Sequence, residues 1–203
     1  MARTRAVLWD LGHTLVDWEP RRVYRTLLGA DDAVEAFLGG VCTMAWHQAH
    51  DRGVSMADNR RTLIAQHPDK AELITAWDTR WADMFDGWVD GMDAIVSALA
   101  AQGAPQYGLT NLPAEKWSHI QETYPEIARF EDVIVSGAEG VVKPDRRIYE
   151  ITAERLPYKP QAVVFFDDRE DNIDAARAFG FDAERFTSAA QARDALRARG
   201  FAL

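Results

Sequence analysis

Four short runs along the chain are apolar or nearly so and stop on polar or turn residues. They are Ala6-Val-Leu-Trp9 before Asp10, the weaker Gln106-Tyr-Gly-Leu109 before Thr110-Asn111, Val133-Ile-Val135 before Ser136, and Ala162-Val-Val-Phe-Phe166 before Asp167. Continuously apolar runs of this length suit strands covered on both faces. Between and after them lie helical patterns that end on breakers: Met92 to Ala101 closed by Gly103, Asp145 to Leu156 by Pro157, Glu170 to Phe179 by Gly180, and Ala189 to Arg199 by Gly200. Strand followed by helix, repeated, predicts an α/β fold: a three-layer, Rossmann-like parallel sheet with helices on both sides. Ligands of such sheets sit beyond the carboxyl ends of the strands, which here is where the polar residues collect.

The first two of these runs are separated by residues 10–105, far more than the dozen to roughly thirty that a crossover with its helix needs. An insertion follows. Residues 1–15 and 90–203 are expected to form the α/β core and residues 16–89 a helical cap, with helical stretches at Arg21 to Leu28, Asp32 to Leu38, Val41 to His50, Ser55 to His67 and Asp69 to Phe85, and no strand. Five of the seven tryptophans (Trp18, Trp46, Trp77, Trp81 and Trp88) fall in this insert. Trp77, Trp81, Phe85 and Trp88 recur at the spacing of one helix face, which reads as packing rather than substrate contact. Trp18 follows the first strand closely enough to overhang the strand ends.

Composition narrows the function classes. With 203 residues, 47% of them hydrophobic and 27% charged, the chain can bury a core without metal or disulfide staples. The balance of 23 Lys+Arg against 32 Asp+Glu gives a net charge of −9, which supplies no basic field for nucleic acid or an anionic bilayer. A single cysteine, Cys42, excludes an internal disulfide framework and a multi-cysteine zinc site. No apolar run approaches a membrane span. The expectation is a cytoplasmic protein, monomer or homodimer, whose partner is a small molecule.

The strand ends supply Asp10 and Thr14, Thr110 and Asn111, Lys143, and the acidic run Asp167-Asp-Arg-Glu-Asp171 followed by Asn172. Each has an ordinary reading as a cap, a turn or a solvated charge. Together and in this order they bring a nucleophilic carboxylate, a hydroxyl, an ammonium and metal-binding carboxylates to one spot. A phospho-accepting receiver module shares Asp, Thr and Lys, but lacks an inserted cap and carries its acidic pair after its first strand.

In these motifs the sequence resembles the haloacid dehalogenase-like hydrolase superfamily. The residues are Val7-Leu-Trp-Asp-Leu-Gly-His-Thr14, Leu109-Thr-Asn111, Gly140-Val-Val-Lys-Pro-Asp145 and Phe165-Phe-Asp-Asp-Arg-Glu-Asp-Asn172. The insert position matches the helical-capped subfamily I, and Asp10-Leu-Gly12 is similar to the branch that includes α-D-glucose-1-phosphate phosphatase. The resemblance implies a Mg²⁺-dependent phosphatase that hydrolyses a small phosphomonoester, a sugar phosphate among the candidates, through an aspartyl-phosphate. It implies Asp10 as nucleophile, Thr110 and Lys143 as stabilisers of the phosphoryl oxygens, and Asp10, the Gly12 carbonyl and Asp168 as metal ligands. Asp167 would pair with Lys143, and Asn172 would support the metal site.

The chain departs from the pattern at Gly12, where most phosphatases of the superfamily carry a second Asp as acid and base. The neighbouring His13 is a candidate replacement, since its ordinary pKa suits proton transfer near neutrality. Dehalogenases also lack that second Asp, because a departing halide needs no proton. Their chemistry is metal-free, however, and unneutralised Asp167 and Asp168 would oppose a carboxylate substrate. A dehalogenase-type hydrolase and a catalytically impaired phosphate-binding protein are the alternatives. In the cap, His47-Gln-Ala-His-Asp51-Arg52-Gly53 forms a polar helix end, with His47 and Arg52 as candidate substrate contacts beside Trp18, Thr14 and Asn111.

Overall fold

The computed structural model describes residues 5–203; the first four residues of the expected core segment, Thr4 of the resemblance included, lie outside the described residues. Its strands are β1 (Ala6–Trp9), β2 (Val16–Trp18), β3 (Phe85–Trp88), β4 (Gln106–Thr110), β5 (Asp132–Val135), β6 (Val163–Asp167) and β7 (Asp182–Arg185). Five of them form a parallel sheet in the order β5-β4-β1-β6-β7. The chain builds outward from β1 to one edge and then restarts on its other side with β6, so the topological switch lies between β1 and β6. Crevices open at that point in sheets of this kind.

Strand side chains alternate between two buried clusters, which makes the sheet the middle of three layers. Val7, Trp9, Val164 and Phe166 pack with Ile95 and Leu99 of α6 (Met92–Ala101) and Leu196 of α11 (Ala189–Ala198). On the other face Ala6, Leu8, Val163 and Phe165 pack with Ile148 and Tyr149 of α9 (Arg146–Arg155) and with Ile173 and Ala176 of α10 (Glu170–Phe179). The one polar side chain in the weaker run is satisfied in place. Gln106 accepts from Trp9 Nε1 at 3.1 Å and donates to the Val96 carbonyl at 3.0 Å. A buried amide so paired costs little.

Between β2 and β3 run α1 (Arg21–Leu28), α2 (Asp31–Gly40), α3 (Met44–Asp51), α4 (Met56–Gln66) and α5 (Ala71–Thr79). The expectation that this stretch holds no strand is corrected by β2 and β3, which pair antiparallel and bracket the helices. The single helix expected over Asp69 to Phe85 is corrected as well. It ends at Thr79, gives a tight turn at Trp81–Met84 and becomes β3, where Gly87 has a φ of 83°. Pairing with β2 there outweighs helical spacing. Trp77 is buried away from the cleft nonetheless, so its packing role stands without the helical stripe, whereas Trp81 is buried but also borders the cleft described below. The strand β7 carries three charged residues in four and was not legible as apolar; it is a sheet edge, where charge blunts further pairing.

The loops beyond β4 and β5 meet at α8 (Ser136–Glu139). A Cβ on Gly137 would lie 2.4 Å from the Ala114 nitrogen and 2.8 Å from the Leu112 carbonyl oxygen, both backbone atoms. Gly137→Ala is therefore expected to destabilise the fold by about 1–3 kcal/mol as overpacking. Chemical denaturation of the variant checks this.

Candidate active site

Asp10 leaves β1 at the switch point and is buried. The Lys143 ammonium lies 2.6 Å from Asp10 Oδ1, 2.7 Å from Asp167 Oδ2 and 2.8 Å from the Leu109 carbonyl oxygen. Its three N–H donors therefore have three acceptors. The backbone of Lys143 is held by one side chain: Asn111 accepts from the Lys143 N–H at 2.8 Å and donates to its carbonyl at 3.1 Å. Asn111 thus spends both ends of its amide on positioning the lysine. Burial opposes the Lys143 charge, but Asp10 and Asp167 hold its pKa above the ordinary lysine value.

Asp167 is orientated on every side. Besides Lys143 it accepts from Asn172 Nδ2 at 3.0 Å on each oxygen and from the Arg169 N–H at 2.9 Å. Asp168, half-buried at the cleft edge, has a pKa raised by burial and by the charge of Asp167. Burial also pushes Asp10 up, to about 8, against the pull of Lys143 and with the help of Asp167 and Asp168. One oxygen from each of Asp10, Asp167 and Asp168 lies within 4.8 Å of the others. Three carboxylates against one ammonium leave excess negative charge, and the donors are hard oxygens. That set fits Mg²⁺, with Asp167 committed to Lys143 and Asn172, leaving Asp10 and Asp168 open toward the ion.

Thr110 ends β4 and is buried beside Asp10's strand. Thr14 is buried with a hydroxyl that has no hydrogen-bond partner among the described residues. Gly12 is not required by backbone geometry: its φ is not positive, and a Cβ there would meet nothing within 4 Å. His13 adopts φ 58°, a left-handed conformation in which His is more frequent than most residues, and its side chain is exposed. It lines an open depression with Asp168, Arg185, Phe186 and Thr187.

On the other side of Asp10 a narrow cleft of about 50 Å³ runs between the sheet ends and the helical insert. Trp18, His47, Trp81 and Phe85 line it opposite Gly12, Thr110, Asn111, Leu112 and Ile120. Trp18 stacks on His47 at 5.4 Å between ring centroids and also packs against Trp77 and Trp81. Arg52 lies apart from this cleft, half-exposed, and its Nη1 donates to Asp145 Oδ2 at 2.9 Å. The structure thus brings together Asp10, Gly12, Thr110, Asn111, Lys143, Asp167, Asp168 and Asn172 with Trp18 and His47, and places Arg52 at the seam between insert and core. Trp81 and Phe85 as cleft walls were missed, because a helical reading put them on a packing face. Asp51, noticed only as part of a polar helix end, is buried.

Sequence and structure comparisons agree with this geometry. A sesquiterpene phosphatase from Aspergillus oryzae is 32% identical over 179 residues, which cover 87% of this chain and 86% of that protein. A HAD family enzyme from Bacteroides thetaiotaomicron, solved with magnesium and inorganic phosphate, superposes with a TM-score of 0.69 at 19% identity, covering 91% of this chain and 94% of its own. L-2-haloacid dehalogenase from Xanthobacter autotrophicus superposes with a TM-score of 0.64 at 19% identity, covering 98% and 84%. At such identities the solved structures show a shared fold. The haloacid dehalogenase-like hydrolase family model matches residues 4–180, and with the strand-end carboxylates and lysine described above, the chain belongs to that family.

Proposed function

We propose that the protein is a Mg²⁺-dependent phosphatase that hydrolyses the phosphomonoester of a small, largely apolar alcohol through an aspartyl-phosphate on Asp10. The observation that carries the reading is the Asp10–Lys143–Asp167 array at the switch point, with Asp168 beside it. Asp10 attacks phosphorus, and the alcohol oxygen leaves on the opposite side. Lys143 contributes its charge to the phosphoryl oxygens, and Thr110 its hydroxyl. Mg²⁺ held by Asp10, Asp168 and the Gly12 carbonyl would neutralise the rest of the phosphoryl charge. Residues 16–89 act as the cap that covers the reaction and excludes water.

The cleft lining supports an apolar substrate class. Sugar hydroxyls need polar partners, and unpaired ones are costly to bury. Here the insert contributes Trp18, Trp81 and Phe85, with His47 packed among them. The indole N–H groups of Trp18 and Trp81 are buried without partners among the described residues, which leaves two donors for an ester oxygen on the largely apolar side that the insert contributes. The phosphatase relative from Aspergillus oryzae acts on a sesquiterpene, which is in keeping with this lining. The neighbouring Asp167 and Asp168 disfavour a haloacid, whose carboxylate would meet like charge.

A panel of prenyl, alkyl and sugar phosphates and 2-haloacids, each with and without Mg²⁺, tests the reading. Phosphate release from prenyl or alkyl esters, lost on chelation, is expected; halide release would contradict it. Trp18→Ala should raise KM for an apolar ester by roughly 10-fold, from about 1–2 kcal/mol of lost aromatic burial, while changing KM for a sugar phosphate little. Steady-state kinetics on the two substrates separate these outcomes.

A further inference from the structure

We infer that Asp51, carried by the insert rather than by the core, is the general acid and base of the reaction, in the role left open at Gly12. The inference rests on the phosphatase reading and adds a residue to it.

Asp51 is the last residue of α3 and is buried, yet its Oδ1 has no hydrogen-bond partner among the described residues. A carboxyl group buried this way is costly unless something else needs it. The end of α3 is fastened to the core around Lys143. Arg52 bonds Asp145, two residues beyond the lysine, and Gly53, at φ 91°, sits so close to the Gly137 carbonyl that a Cβ would lie 2.9 Å from that oxygen. Lys143 is close enough for its charge to act on Asp51. This anchorage fixes a cap carboxyl against the core beside His47, which lines the cleft.

A chain of neutral groups runs through α3 to Asp51 and ends on an approach too long to satisfy its carboxyl. Asn59 Nδ2 lies 2.9 Å from His50 Nε2, His50 Nδ1 lies 3.4 Å from His47 Nδ1, and His47 Nε2 lies 3.5 Å from Asp51 Oδ1. An amide can only donate at the first contact, so His50 carries its proton on Nδ1, His47 accepts there, and the His47 Nε2–H faces Asp51. Burial keeps both imidazoles neutral, at about 3 for His47 and about 4 for His50. The other charges around α3 are paired: Arg52 with Asp145, Glu139 with Arg155, and both Arg60 and Lys116 with Asp78. Burial raises the Asp51 carboxyl to about 7, opposed by Lys143, so both protonation states are populated at neutral pH. His13, by contrast, is exposed on the Asp168 side.

The steps balance. As the Asp10 oxygen bonds phosphorus and the ester P–O bond breaks, the Asp51 carboxyl gives its proton to the departing alkoxide and becomes a carboxylate. That carboxylate then takes a proton from the water that attacks phosphorus, freeing Asp10 and phosphate and restoring the acid.

The test is Asp51→Asn, with an alkyl phosphate and p-nitrophenyl phosphate as probes over a pH series. Wild-type kcat/KM for the alkyl ester should fall as pH rises through about 7, where the acid form is lost. The variant should lose about 10²-fold or more on the alkyl ester, lose that pH limb, and lose much less in the phosphorylation burst on p-nitrophenyl phosphate. Adding Gly12→Asp to Asp51→Asn should restore alkyl ester turnover, since position 12 has room for the side chain. His13→Ala should keep the pH limb. A wild type that turns over with no group near 7, or an Asp51→Asn variant that slows both probes equally with the limb intact, overturns the inference alone. Absence of any wild-type turnover overturns the functional reading, and the inference with it.

Discussion

Asp10→Asn should abolish turnover, by a factor on the order of 10⁴ or more, while leaving the fold intact. An amide oxygen is too weak a nucleophile to displace an alkoxide from phosphorus, and the neighbouring Asp167 cannot take its place. Asp167 is immobilised by Lys143, Asn172 and the Arg169 N–H. The stability effect has a definite sign. Burial pushes the Asp10 carboxyl up to about 8, so ionised Asp10 is held at a cost in the metal-free protein. An amide at position 10 needs neither proton uptake nor a buried charge on folding and leaves Lys143 paired with Asp167, so the metal-free variant should melt at or above the wild-type temperature near neutral pH. Single-turnover assays and thermal melts under chelation check the two halves. A variant with wild-type turnover, or one that unfolds, would contradict them.

The second large effect is expected from Lys143→Ala. Its ammonium serves three acceptors and carries the sole positive charge among the described residues bonded to Asp10 and Asp167. Truncating one member of a buried ion cluster leaves the others uncompensated, at a cost of about 3–5 kcal/mol. Activity should fall by roughly 10²–10³-fold or more through lost stabilisation of phosphoryl charge. Lys143→Arg should not rescue it, because a planar guanidinium cannot reach three acceptors arranged around one nitrogen. Denaturation and kcat measurements on both variants check this, and an active Lys143→Arg protein would contradict the geometric argument.

The parts of the molecule legible in the sequence are those where one local signal and the tertiary fold agree. β1, β5 and β6 are covered on both faces and read as apolar runs; α6 and α10 begin and end where their periodicity and breakers put them. The strand-end residues were legible because order along the chain is order around the switch point. The exceptions have physical causes. β7 is an edge strand whose acidic side chains are ion-paired with Arg5 and Arg199, and β2 and β3 are short segments stabilised by each other across residues 19–84. No local pattern reports such pairing. Asn111 and Arg52 carry polar groups suited to a ligand, and only the folded chain shows that Asn111 is spent on Lys143 and that Arg52 bonds Asp145. Asp51 is the converse: a charge at a helix end, ordinarily solvated, that the packing of α3 on the core buries.

The central claim is that phosphorus is transferred to Asp10. It is tested most directly by rapid acid quench of the wild-type protein with Mg²⁺ and ³²P-labelled alkyl phosphate, followed by borohydride reduction of the acyl phosphate and peptide mapping. The account predicts label on the protein within the first turnover and the reduction product at position 10. Turnover with no covalent label, or with label on any other residue, would contradict it.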